Sequence, residues 1–425
     1  MIRVHARLRA VLESLGDIFW IRPALLVLCG TLLGQAMVLV QLTETWAPDD
    51  WFFGGGGSGA RDVLVAIAGS SIGVAGTTFS ITVAALSLAT GQMGPRLLRN
   101  FVRNPGNQIA LGIFLGTFAY CLVVLRSVRS VEEGDFVPQL GVTVALLLAL
   151  VCVGTLVWFV HHIATSINVE VVIEGVQEEL LEAVERLDKD ATGPATPPLH
   201  TSAPAGASVA LDRHGYLRSV DTDALADWAE EREAVLVLHV RPGHYLFPGC
   251  AVAQVTPREA APAAAKALRD ALSVGPRQAA AQDLEFSVRQ LVEVALRALS
   301  PGINDPFTAV AVLDRLGATL CAMVPRHMPA ATVARGGRIV LHRHVPEYAG
   351  LCNAMFHPIR QSAAGNAVVL IHMLDVLARV RALEPRPERR AELTRHAALV
   401  LAAGRIGLKD PADVAALEAR AARAG

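Results

Sequence analysis

Four long apolar runs, roughly 22–42, 63–90, 107–126 and 138–160, fill most of the first 165 residues without a charge in their interiors. After them, apolar positions recur only in short amphipathic periods. Each run is long enough to cross about 30 Å of hydrocarbon as a helix, for which about 20 apolar residues suffice. The first is too long for a signal-peptide core, so it reads as a retained span.

The flanks orient these spans, because arginine accumulates on the cytoplasmic side of short connections. Arg3, Arg7, Arg9 and Arg22 precede the first run, and Arg96, Arg99 and Arg103 separate the second from the third. Glu44, Asp49 and Asp50 follow the first with Trp46 and Trp51 beside them, and the third connection mixes Arg126 and Arg129 with Glu132, Glu133 and Asp135. Both termini are therefore expected in the cytoplasm. Two basic amphipathic stretches, the N-terminal arm and PRLLRNFVR at 95–103, read either as helices along the inner leaflet or as plain basic flanks.

The second run, VLVAIAGSSIGVAGTTFSITVAALSLAT, has 28 residues. It would reach about 42 Å as a helix, so it must tilt or project. At 100° per residue, Gly69, Gly73, Gly76, Ser80 and Ser87 form one stripe, with Ser71, Ala75, Thr78 and Thr82 roughly opposite. Small residues let membrane helices approach closely, which makes Gly69, Gly73, Gly76 and Ser80 candidates for helix packing. The hydroxyls of Ser71, Thr78 and Thr82 either bond back to the preceding turn or line a polar path in an oligomer. No Asp, Glu, Lys or His lies in this run, which favours a passive pathway over a proton-coupled pump.

Beyond the fourth run, Val169, Ile173, Val176, Leu180, Ala183 and Leu187 recur every three or four residues among glutamates. This predicts a stalk helix over 166–190 that either self-associates or packs on the following domain. ATGPATPPLHTSAPAGAS, 191–208, reads as a linker. Residues 209–256 read as a small α/β unit, with strands at YLRSV and AVLVLHV, a helix capped by Asp221 between them, and turns at Pro242-Gly243 and Pro248-Gly249. Residues 257–425 read as mainly helical, with one strand near 338–343. The fold class is thus a four-helix membrane domain over 1–165, followed by a mixed α+β, mainly helical cytosolic domain.

Two features of this half carry candidate chemistry. In QDLEFSVRQLVEVALRALS, Glu285, Arg289, Glu293 and Arg297 form an i,i+4 ladder, a pattern usually belonging to a solvated face. Next, LSPGINDPFTA stops that helix at Pro301-Gly302 and starts another at Asp305-Pro306. Asn304 is left over: it either closes the turn, or joins Asp305 in a functional corner offered to a partner.

Composition narrows the function. A 52% hydrophobic chain is too apolar for one ordinary soluble domain, and a net charge of −1 offers no basic field for nucleic acid. Six cysteines without a C-x-x-C pair suit buried thiols in a reducing compartment. No nucleophile elbow, phosphate loop, dinucleotide fingerprint or zinc-protease helix is present, and His327, His342 and His344 supply only a weak metal pattern. No catalytic residue, metal site or cofactor is expected.

AGSSIGVAGTTFSITVAALSLAT, GPRLLRNFVRNPGNQ, FVHHIA, QDLEFSVRQLVEVALRALSPGINDPFTA and the RPG-x4-PG segment together resemble a bacterial family of membrane proteins, domain-of-unknown-function family 2254. The resemblance covers nearly the whole chain outside 191–208. It implies a multi-pass bacterial inner-membrane protein with four N-terminal spans and a cytosolic C-terminal domain, and it implies no activity. The residues then suggest a homo-oligomer that forms or regulates a passive ion or small-solute pathway, with the cytosolic domain as gate or sensor. The alternative is a membrane-anchored scaffold for a protein partner that the sequence does not name.

Overall fold

The computed structural model describes residues 19–43, 53–54, 56–93, 105–129, 136–166, 168–187, 206–278 and 282–424. The chain divides into two compact units, Met1–Val171 and Val172–Gly425. The N-terminal arm, the basic stretch at 95–103 and most of the linker at 191–208 lie outside the described residues.

The first unit contains α1 (Ile21–Thr43), α2 (Gly57–Met93), α3 (Pro105–Ser127) and α4 (Gln139–Ser166). Each matches one apolar run, and α2 extends well beyond its run. The third helix is central: it packs on the other three and has buried residues from Gly106 to Val124. Polar groups fasten the ends of the helices. Tyr120 donates its hydroxyl to the Gly141 carbonyl at 2.8 Å, and the Gln41 side chain accepts from Leu140 N while donating to Val137 O. Leu28, Leu32, Leu147, Leu150 and Val157 remain exposed, an apolar exterior suited to lipid.

The second unit begins with α5, Val169–Glu185, of which Val172 onward belongs to it. The helix buries Ile173, Val176, Leu180 and Val184 within this chain, so its apolar stripe is occupied by intramolecular packing. Arg326 donates to the carbonyls of Glu185 and Leu187 at its C-terminus, satisfying acceptors that a helix end leaves open.

The strands are β1 (Ala207–Ala210), β2 (Gly215–Val220), β3 (Val235–Leu238), β4 (Tyr245–Leu246), β5 (Ala251–Thr256), β6 (Leu272–Gly275), β7 (Thr332–Arg335) and β8 (Arg338–His342). A five-stranded sheet runs β1-β5-β3-β8-β7 and a three-stranded sheet runs β4-β2-β6. Among the described residues, only β3 and β8 pair in parallel. Helix α6 (Thr222–Glu231) is capped by Asp221, which accepts from Ala224 N, and it joins α7 (Ala261–Ala271) in covering the strands with a shared apolar core.

Residues 209–256 therefore do not close a sheet alone. The boundary expected at 256 divides one folded body, because β3 takes β8 as its neighbour and β2 takes β6. The strand expected near 338–343 is β8. The residue pattern gave no separate sign of β1, β6 or β7, whose four-residue lengths are too short for a clear alternation.

The remainder is helical: α8 (Leu284–Ala298), α9 (Pro306–Met323), α10 (Tyr348–Ser362), α11 (Ala367–Leu383), α12 (Pro387–Gly407) and α13 (Pro411–Ala424). Among the described residues, five helices are long and apolar enough to cross a membrane. Four are α1 to α4. The fifth is α9, which packs on α8 and α11 with Leu313, Leu316 and Leu320 fully buried.

Candidate functional site

In the membrane unit, the two stripes of α2 differ in burial within the chain. Ser71 and Thr78 are buried at 4% and 2% exposure, and Ala75 packs in a core with Ala110, Leu111 and Phe114. Gly69, Gly73 and Gly76 have open space beside them among the described residues, and Ser80 is exposed. The hydroxyl stripe thus packs inward, and the small stripe packs on nothing among the described residues. Close approach happens elsewhere, where Gly30 and Gly34 of α1 meet α3 and Gly112 and Gly116 of α3 meet α1.

Inward placement leaves polar groups in the bundle. Thr82 satisfies its hydroxyl on the Thr78 carbonyl, as Ser80 does on Gly76 on the exposed stripe. Thr78 Oγ1 and both polar atoms of the Asn107 side chain have no hydrogen-bond partner among the described residues. Asn107 is 2% exposed. In a low-dielectric bundle an unpartnered polar atom is expensive.

In the second unit, the Pro242-Gly243 turn docks onto the start of α8. Gly243 adopts φ +92, and a methyl group there would strike Asp283 Oδ2. Arg241 bonds Glu285 at 2.7 Å, while Arg289 bonds Glu285 at 3.2 Å and Asp283 at 2.8 Å. The first half of the charged ladder is therefore committed to holding this turn, contrary to a freely solvated face. Burial pushes the Asp283 carboxyl above the ordinary carboxylate range, with Arg289 opposing that shift. Burial likewise holds His244 below its usual value, reinforced by Arg241 and then His344.

Beside this network lies a cleft of about 290 Å³. Val220, Leu238 and Val240 of the strand layer form its apolar floor; Arg186 and Leu187 at the end of α5 and Arg343 after β8 stand around it. Arg343 donates to Ala330 O at 3.0 Å and Thr222 Oγ1 at 3.2 Å.

The α8–α9 corner is a third site. Asn304 has φ +50, and Asp305 accepts from the backbone of Phe307 and Thr308 and from the Thr308 hydroxyl at 2.6 Å. Those bonds, led by Thr308, hold the Asp305 carboxyl below the ordinary range. Its polar atoms are thus spent on the cap, whereas Ile303 and Phe307 are exposed, the latter at 73%. No group of three potential metal-ligating side chains is assembled among the described residues.

The description of a family of predicted membrane proteins, DUF2254, matches residues 17–379. The chain belongs to DUF2254. The match takes in α1 to α4, the Arg241–Glu285–Arg289–Asp283 network and the cleft. This DUF2254 chain is 32% identical over 431 aligned positions to uncharacterized proteins of Mycobacterium tuberculosis and Mycobacterium bovis, covering 98% of this chain and 82% of each relative. No solved structure gives a significant match. The turn network and cleft of this DUF2254 member escaped the sequence reading because their parts lie far apart in the chain. The RPG turn and the Glu285–Arg289 spacing were visible separately, without a sign that they meet or that Asp283 joins them.

Proposed function

We propose that the protein passes, or regulates the passage of, a small solute through a bacterial inner membrane, and that it is not an enzyme. The observation that carries this reading is the pair Thr78 and Asn107, whose buried polar atoms lack partners among the described residues. Polar side chains inside a membrane bundle commonly mark solute paths, because their retention is otherwise unfavourable. The path is assigned to the bundle interior, in place of the oligomer axis that the stripes of α2 first suggested.

In this reading α1 to α4 span the bilayer with both termini cytoplasmic, and α9 stays within the C-terminal unit that already buries its leucines. That unit serves as gate or sensor, and α5 leads from the membrane helices into it. A homo-oligomer would use the open face at Gly69, Gly73 and Gly76.

The test is flux from proteoliposomes loaded with small ions and neutral solutes. Thr78→Leu should reduce flux several-fold, while Phe79→Leu on the exposed side should not. Wild-type vesicles that stay tight under every lipid and voltage would refute the pathway.

Exposed Ile303 and Phe307 favour a second reading, a membrane-anchored scaffold that presents the α8–α9 corner to a protein partner. Retention of phenotype after exchange of the membrane half for unrelated spans would select the scaffold.

A further inference from the structure

The second unit carries a cleft that the proposed membrane pathway does not use. Its lining is mainly apolar, contributed by Val220, Leu238 and Val240 with Leu284 beside them. Two arginines stand at its edge, and their electrostatic surroundings differ from that of the third, Arg241. Glu285 neutralises Arg241 at 2.7 Å. Arg343 is held by one hydroxyl and one carbonyl, which fix its guanidinium without cancelling its charge. Neither Arg343 nor Arg186 forms an ion pair with a described residue; Asp223 attracts Arg343 only at longer range and is itself bonded to Arg335 at 2.7 Å.

A partly buried guanidinium with no ion-pair partner among the described residues carries a desolvation cost that a visiting anion offsets. Arg186 offers a second cation on a flexible stem from a different element, so an anion between the two would meet charge from both sides. The size decides against a large ligand: at about 290 Å³ the cleft is at the lower end of the roughly 300–1,000 Å³ typical of small-molecule sites. Apolar floor, arginines without an ion pair among the described residues, and small volume describe one class of occupant.

We infer that this cleft binds a small amphipathic oxyanion, its apolar body on Val220, Leu238 and Val240 and its carboxylate or phosphate head between Arg186 and Arg343. The occupant would tie the end of α5 to the segment after β8. This rests on the gate-or-sensor reading only in making the occupant a signal; binding itself requires no pathway.

Calorimetry on the full-length protein in nanodiscs tests it with four probes: benzoate, phenyl phosphate, inorganic phosphate and benzyl alcohol. Saturable binding of benzoate or phenyl phosphate is expected, with the preferred one identifying the head group. Inorganic phosphate and benzyl alcohol should each bind roughly tenfold or more weakly, since each lacks one half of the recognition. Arg343→Met and Arg186→Met should each weaken the preferred probe by roughly tenfold, and Arg343→Lys should restore part of it. A thermal melt of each variant confirms that it is folded.

Absence of binding by both organic anions, or binding indifferent to Arg343→Met in a folded protein, would overturn the inference. Preference for benzyl alcohol over both anions would do the same. Binding without flux leaves the ligand site standing and removes the pathway, and flux without binding does the reverse.

Discussion

Gly30 of α1 and Gly116 of α3 lie backbone to backbone: a methyl group on Gly30 would strike the Gly116 carbonyl oxygen, and one on Gly116 would sit 2.8 Å from Leu26 O. Neither obstacle is a side chain that can turn away. Helices without a hydrophobic drive between them gain their association from such approach, and Gly30/Gly34 and Gly112/Gly116 each have the four-residue spacing that puts two glycines on one face.

Gly116→Ala should therefore lower the stability of the membrane unit by about 1–3 kcal/mol, the usual range for overpacking. Thermal unfolding in a mild detergent would register it. Gly73→Ala is the control, because nothing lies within 4 Å of that position among the described residues. In a monomer it should be neutral or gain up to about 1 kcal/mol from helix propensity. A destabilised Gly73→Ala protein would instead reveal a second copy packed on this face.

Asn304 takes a left-handed conformation that favours glycine and tolerates asparagine. Asn304→Gly should retain stability, while Asn304→Ala should lose about 1 kcal/mol. Asp305→Ala should lose about 1 kcal/mol with the cap. Because the folded carboxyl of Asp305 is depressed, its contribution is present above the ordinary carboxylate range and is lost as pH falls through the lowered value. Denaturant melts at pH 7 and below 4 would separate Asp305 from Asn304.

Arg289 compensates a carboxylate, Asp283, that is 3% exposed. Arg289→Met should cost on the order of 3 kcal/mol by leaving that charge buried and unpaired, and adding Asp283→Asn should recover much of the loss. Asp283 binds its proton more tightly folded than unfolded, so its contribution is greatest at low pH and diminishes as pH rises through the raised value. A double-mutant cycle of denaturant melts at pH 7 measures the coupling.

His396 is fully buried, with its ring 4.9 Å from that of His357. Burial, then Arg395, lowers it from 6.5 to about 4; Glu392 opposes the shift and His357 adds to it. Between those two values the unfolded chain takes up a proton that the folded chain refuses, so stability should decline as pH falls through that window. The loss is on the order of 3 kcal/mol. His396→Phe should flatten the profile from pH 7 to 4 in denaturant melts.

Much of the architecture was legible because it follows from local pattern. Uninterrupted apolar length marked α1 to α4, and cap chemistry marked element ends at Asp221 and Asp305-Pro306. The α8–α9 corner could be read residue by residue, down to the leftover Asn304, because its constraints operate within eleven consecutive positions, 298–308.

Relations between distant residues were not legible. The period of α2 placed Ser71 and Thr78 opposite Gly69 and Gly73, but a period defines faces and cannot say which face a neighbour covers. The ladder of α8 resembled a solvated surface until the Arg241 turn, more than forty residues earlier, was found bonded to Glu285. The same limit applies to the cleft, whose floor, stalk-end arginine and Arg343 come from three separate regions of the chain. The sequence alone determined where helices start, stop and meet lipid, since propensity, capping and transfer free energy act locally. Only the tertiary structure decided which polar groups lose water together, because burial and electrostatic pairing depend on partners that the fold brings near.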